Sequence, residues 1–110
     1  MPTATYKVLA QSAPSATTAT DIYTVASSTQ VVISTITVCN RAASAATYRI
    51  AVRVAAASIA ASQYIAYDVS LPANATDTLT LGVTVGATDV ISVYSSSATM
   101  SFSAFGSEIA

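Results

Sequence analysis

Apolar and polar side chains alternate with a period of two along most of this chain. In residues 47–54, TYRIAVRV, Tyr48, Ile50, Val52 and Val54 fall on one side, and Thr47, Arg49, Ala51 and Arg53 on the other. Successive side chains of a strand point to opposite faces, so this pattern predicts a half-buried strand. QYIAYDVSL places Ile65, Tyr67, Val69 and Leu71 on an inner face, opposite Tyr64, Ala66, Asp68 and Ser70. TDTLTLGVTV alternates Leu79, Leu81, Val83 and Val85 with Thr78, Thr80, Gly82 and Thr84, and TMSFSAF alternates Met100, Phe102 and Ala104 with Ser101, Ser103 and Phe105. QVVISTITVCN and TDVISVYS are apolar on both sides, which predicts central strands or strands with a covered outer face.

With the shorter runs TYKVLA and DIYTVA, the pattern predicts eight strands, over 4–10, 21–25, 30–39, 46–54, 63–71, 77–85, 88–95 and 99–105. Short strands at this even spacing predict an all-β fold: antiparallel strands in a β-sandwich, jelly-roll-like, or a small barrel. Residues 55–62 are rich in alanine and are expected to hold one helical turn. Residues 11–20, QSAPSATTAT, carry no large apolar side chain and are expected to form an extended N-terminal arm or long loop.

Composition sharpens this picture. The chain of 110 residues is read as a single β domain, 1–110, which buries roughly 65% of its unfolded surface. Charged residues make up 8%, against about 25% in an ordinary soluble domain. The exterior is therefore expected to be Ser, Thr and Ala with little charge to keep copies apart, and the native chain to be assembled. Four cations against five carboxylates do not supply the counterion release that nucleic-acid binding needs. The opening MPTATYKVLAQ lacks a basic region followed by an apolar core, and no apolar run is long enough to span a membrane, so neither a secretory signal nor a membrane partner is expected. Asn74-Ala75-Thr76 reads as turn chemistry.

Little catalytic chemistry is available. There is no histidine and one cysteine, which removes Ser-His-Asp and Cys-His catalysis and structural zinc clusters. Cys39 is expected to be a small buried hydrophobe. Gly82, Gly86 and Gly106 fit no phosphate loop. Asp21, Asp77 and Asp89 stand at predicted strand or turn starts, where Asp bonds local backbone. Thr-x-Thr occurs three times without the regular repeat an ice-binding face requires. Of the six tyrosines, Tyr48 and Tyr67 are expected to pack inside, and Tyr64 and Tyr94 are candidates for an exposed sugar platform. No catalytic residue, metal site or cofactor is expected. Arg49 and Arg53 lie on one strand face roughly 13 Å apart, too far to grip one carboxylate together. With Arg41 upstream they suit either solvated charges that discourage edge pairing or a contact between subunits.

The stretches ATYKVLAQSAPSATTATDIYTV, STITVCNRAASAATYRIAVR and YIAYDVSLPANATDTLTLGVTVGATDVISVYSSSATMSFSAFGSEI resemble a group of small virion structural proteins of tailed bacteriophages, notably cyanophages. VCNRA, TDVISVY and FGSEI carry the likeness most specifically. The resemblance implies a capsid cement, or decoration, protein on the capsid exterior, made in the host cytoplasm. It further implies a homotrimer that bridges capsomers, with the major capsid protein as partner. The candidate interface residues are then Gln11 and Pro14 in the 1–20 arm, Arg41, Arg49 and Arg53, and Phe105 and Glu108 near the end of the chain. A tail, neck, baseplate or fibre component and a carbohydrate-binding adhesion module remain as alternatives.

Overall fold

The computed structural model describes residues 3–110. It contains eight strands: β1 (Ala4–Ser12), β2 (Thr20–Thr24), β3 (Gln30–Asn40), β4 (Ala46–Arg53), β5 (Tyr64–Leu71), β6 (Thr76–Val85), β7 (Val90–Ser95) and β8 (Met100–Ile109). They form two antiparallel four-stranded sheets, ordered β1-β8-β3-β6 and β2-β7-β4-β5. That nested order is the strand order of an eight-stranded jelly roll, so the fold is a sandwich and not a barrel. The two runs that are apolar on both sides, β3 and β7, are central strands, as their pattern predicts.

One core fills the space between the sheets. Ile33, Ile36, Val38, Met100 and Phe102 from the first sheet meet Tyr48, Ile50, Leu71, Ile91 and Val93 from the second. The Tyr48 ring stands edge-on to Phe102, with centroids 6.2 Å apart at 77°. Its hydroxyl donates to Asp77 Oδ2 on β6 at 2.8 Å. Tyr23 of β2 makes the equivalent cross-sheet link, donating its hydroxyl to Glu108 on β8. Burial first, and then the carboxylate each hydroxyl faces, push both phenols far above their ordinary value, so both stay protonated donors.

On β5 and β6 the alternation fails at bulges that turn apolar side chains outward. On β5, Tyr48↔Val69 is followed by Ile50↔Ala66, so three steps on β5 oppose two on β4. Asp68 absorbs the extra residue with φ 49°. Val69 and Leu71 therefore face inward as expected, but Ile65 and Tyr67 do not, and Tyr67 is 56% exposed. On β6 the bulge lies opposite Ser34, between Val83 and Thr80. Gly82 there has φ 67°, and Leu81 is exposed where the period predicts burial. Val54 is also exposed, because the chain leaves β4 after Arg53 through Ala55 and Ala56, both at positive φ.

The crossover between β1 and β2 replaces the expected arm. Gln11 and Ser12 extend β1 along β8, Thr20 already belongs to β2, and the loop between is anchored by the Thr17 N–H on the Ser95 carbonyl at 2.7 Å. Pro14 within it is buried. Met1 and Pro2 of that expected arm lie outside the described residues. Cys39 is half-buried rather than buried, because it alternates with the inward-facing Val38 and lies on the outer side of β3. Asn74, with φ 54°, sits in the β5–β6 turn, where the Ala75 N–H reaches the Pro72 carbonyl.

Candidate functional site

The outer face of the β2-β7-β4-β5 sheet gathers most of the chain's distinctive side chains. Alternation along β4 places Arg49, Ala51 and Arg53 on this face, and the unbroken β4–β7 register sets Arg49 beside Tyr94 and Ala51 beside Ser92. The β5 bulge swings Tyr67 and Asp68 outward to meet Arg49. The guanidinium lies between two rings, 4.3 Å from the Tyr67 centroid and 4.4 Å from that of Tyr94. Its Nε and Nη2 donate to Asp68 Oδ1 and Oδ2 at 2.6 and 3.2 Å. Tyr64 completes the cluster, edge-on to Tyr67 at 4.8 Å and 76°. The bond to Asp68 holds the Arg49 pKa well above its ordinary value, and the same bond holds the Asp68 carboxyl below its own.

Arg53 is engaged differently. Nη1 donates to Asp21 Oδ1 at 2.7 Å and to Ser92 Oγ at 3.3 Å, while Nε and Nη2 donate to the carbonyls of Ala57 and Ala56 at 2.7 and 3.1 Å. These bonds fold residues 54–63 back over the sheet. Two short 3₁₀ turns, Val54–Ala56 and Ala61–Gln63, stand where one helical turn is expected. Gln63 closes the excursion on itself, accepting from the Ala60 N–H at 2.8 Å and donating to the Ser58 carbonyl at 2.9 Å. Asp89 secures its start, accepting from the Ala55 N–H at 2.8 Å while its other oxygen accepts from Gly86 N–H at 2.8 Å. Asp89 therefore bonds local backbone as expected, whereas Asp21 and Asp77 bond side chains instead.

The expected interface residues do not converge on one surface. Arg49 and Arg53 share this face, each already paired within the chain. Arg41 is exposed beyond the end of β3, where its Nη2 donates to the Ala98 carbonyl at 3.2 Å. Gln11 lies exposed on β1, and Phe105 is half-buried on β8. Glu108 is held by Lys7 Nζ at 2.8 Å and by Tyr23. Pro14, being buried, offers no surface. Sequence reasoning missed Tyr67 and Asp68 as members of the Arg49 cluster. The available signal was an aspartate in mid-strand, where Asp is depleted and marks irregular pairing.

These ion pairs give a testable acid response. Ser92 and Arg53 hold Asp21 below its ordinary 3.8, Arg49 does the same for Asp68, and Lys7 and Tyr23 hold Glu108 below 4.5. A depressed folded-state value contributes stability above the unfolded value and loses it as pH falls through the folded one. Thermal melts are therefore expected to hold a steady midpoint down to about pH 5 and then to fall, and the fall is expected to be shallower in a D21N/E108Q double variant. A double variant with the parent's acid slope would show that these pairs do not link protonation to folding.

Among the described residues, no group of three or more His, Cys, Asp or Glu is placed to hold a metal ion, and no helix is long and apolar enough to cross a membrane. A scan against protein-family models finds no match for this chain, and neither does a search of curated proteins.

Proposed function

We propose that this chain is a structural subunit of a virion, a cement protein that decorates and stabilises the head of a tailed bacteriophage. The observation that carries the reading is the state of the sheet edges. Three of the four edge strands bear exposed large apolar side chains: Tyr6 (85% exposed) and Val8 on β1, Leu81 on β6, and Ile65 and Tyr67 on β5. Open edges with apolar side chains promote strand pairing and aggregation unless something covers them. A net charge of −1 offers little repulsion against association. A chain with these edges is suited to permanent assembly.

The fold class adds support of a weaker kind, since jelly rolls serve as viral capsid domains and also as lectins and cupins. The resemblance to phage virion proteins selects among these. Arg41, which pairs with a carbonyl and not a carboxylate, and the exposed edges are the features available to meet a major capsid protein or two further copies in a trimer.

Quantitative mass spectrometry of purified particles tests the reading against the major capsid protein. Hundreds of copies per particle are expected. A dozen or fewer would move the subunit to the tail or neck, and absence from purified particles would remove it from the virion altogether.

A further inference from the structure

Beside Arg49 the outer face of the second sheet sinks into a cleft of 280 Å³, floored by Ala51 and walled by Arg49, Tyr94, Tyr64 and Ile59. A second depression, 520 Å³, lies on the other side of Tyr64 and Ile59 and reaches Tyr67. We propose that this paired cleft is a saccharide-binding site for a neutral glycan, with Tyr64 as the stacking platform and Arg49, held in place by Asp68, as the hydrogen-bonding partner of the sugar hydroxyls.

Three observations converge on that chemistry. A sugar ring presents an apolar C–H face and a rim of hydroxyls that both donate and accept. Its site therefore needs an aromatic ring and, beside it, a polar group fixed in place. Tyr64 borders both depressions, so open space flanks its ring on two sides, while its contact with Tyr67 fixes its orientation. Arg49 holds Asp68 through Nε and Nη2, which leaves Nη1 outside that bond as a donor on the residue that walls the cleft. The two flanking rings immobilise this guanidinium in advance, so little ordering remains for a ligand to impose.

The charge balance selects the ligand class. Asp68 already neutralises Arg49 through a bidentate bond at 2.6 and 3.2 Å, so the cleft presents no unbalanced positive charge to an anionic ligand. A neutral polyol can bond Arg49 Nη1 without disturbing that pair. The size agrees: the 520 Å³ depression falls within the roughly 300–1,000 Å³ of small-ligand pockets, and the 280 Å³ cleft, just under that range, suits a single sugar ring. The inference does not depend on the virion reading, since an isolated subunit binds sugar whether or not it decorates a particle.

The test is a glycan array carrying neutral mono- and oligosaccharides ending in glucose, galactose, mannose or N-acetylglucosamine, with sialylated and sulfated glycans beside them. Dense presentation on the array compensates for weak single-site affinity. The best neutral hit is then titrated into the purified protein. Tyr64→Ala is expected to weaken binding by about tenfold or more, as loss of a central anchor does, while Tyr64→Phe keeps most of it. Ala19→Trp, on an exposed loop residue at the cleft rim, is expected to block binding with an unchanged melting temperature. That variant carries the test if Tyr64→Ala fails to fold. No neutral glycan bound, a preference confined to sialylated or sulfated glycans, or affinity unchanged by Ala19→Trp would each overturn the proposal.

Discussion

Replacing Gly106 with alanine is expected to lower the melting temperature by about 15–25 °C, corresponding to a loss of roughly 4 kcal/mol in a domain of this size. A Cβ on Gly106 would lie 2.0 Å from the Val32 carbonyl oxygen and 3.0 Å from the Ile33 Cα. Both obstacles are backbone atoms of β3, so no side-chain rotation relieves them. Gly106 pairs with Ile33 where β3 carries its extra residue, Ser34, and where β1 carries its own at Leu9. The two backbones approach closely at this line of bulges, and β8 sits between β1 and β3. Pushing it away opens the middle of the first sheet. The other glycines supply the comparison. Gly82 has nothing within 4 Å of a new Cβ but has φ 67°, so Gly82→Ala is expected to cost about 1–2 kcal/mol from backbone strain alone. Gly86 has neither constraint beyond an ordinary 3.9 Å contact with Asp89, and Gly86→Ala is expected to be nearly neutral. Chemical denaturation of the three variants checks the order. If Gly106→Ala were no worse than Gly82→Ala, the close approach of β8 to β3 would not be a structural requirement.

These bulges also mark where the sequence stops being readable. Strand positions are legible because a period of two survives over stretches of five or more residues, as in Met100, Phe102 and Ala104, all fully buried. Central position is legible in β3 and β7 because both their faces are apolar. A bulge shifts that period by one residue within a single strand, and its trace is a lone residue that fits a strand poorly. Asp68 and Gly82 are such residues, and ignoring them puts Tyr67 and Leu81 on the wrong side. The Arg49 cluster is further from view, because it depends on which strands are neighbours. Tyr94 lies across from Arg49 through the β4–β7 pairing, between strands some forty residues apart in the chain. Nested pairing of first with last strand cannot be read from turns of similar length. The ion pairs follow from the same register: spacing correctly separates Arg49 from Arg53, but only the fold assigns Asp68 to one and Asp21 to the other.

Asn40 is the second position where a single atom exchange is expected to have a large effect. It is 0% exposed and lies at the end of the sandwich where three connections meet. Its Nδ2 donates to the carbonyls of Ser44, Leu71 and Pro72 at 2.9, 3.2 and 3.3 Å. Its Oδ1 accepts from the Ala42 N–H at 3.1 Å and from the Thr99 hydroxyl at 3.3 Å. One side chain thus ties the β3–β4, β5–β6 and β7–β8 loops together. Asn40→Asp keeps the shape and removes the donor. The introduced carboxylate would face three carbonyl oxygens without solvent, and the expected loss at neutral pH is about 3–5 kcal/mol, in the range for an uncompensated buried charge.

The pH response of that variant separates charge from packing. The site disfavours the ionised form, so the introduced group's folded-state pKa rises above its unfolded value of about 3.9. The destabilisation is complete above the folded value and shrinks as pH falls toward the unfolded one, where the protonated acid regains an O–H donor. Relative to the parent, Asn40→Asp is therefore expected to recover stability on acidification, while the parent itself loses stability as Asp21, Asp68 and Glu108 protonate. Asn40→Ala, which removes donor and acceptor without adding charge, is expected to show no such recovery. Denaturant titrations of parent and both variants at neutral and acidic pH measure the difference. Equal, pH-independent losses in the two variants would mean that Asn40 fills space at this junction and that its amide donor does not hold the three loops together.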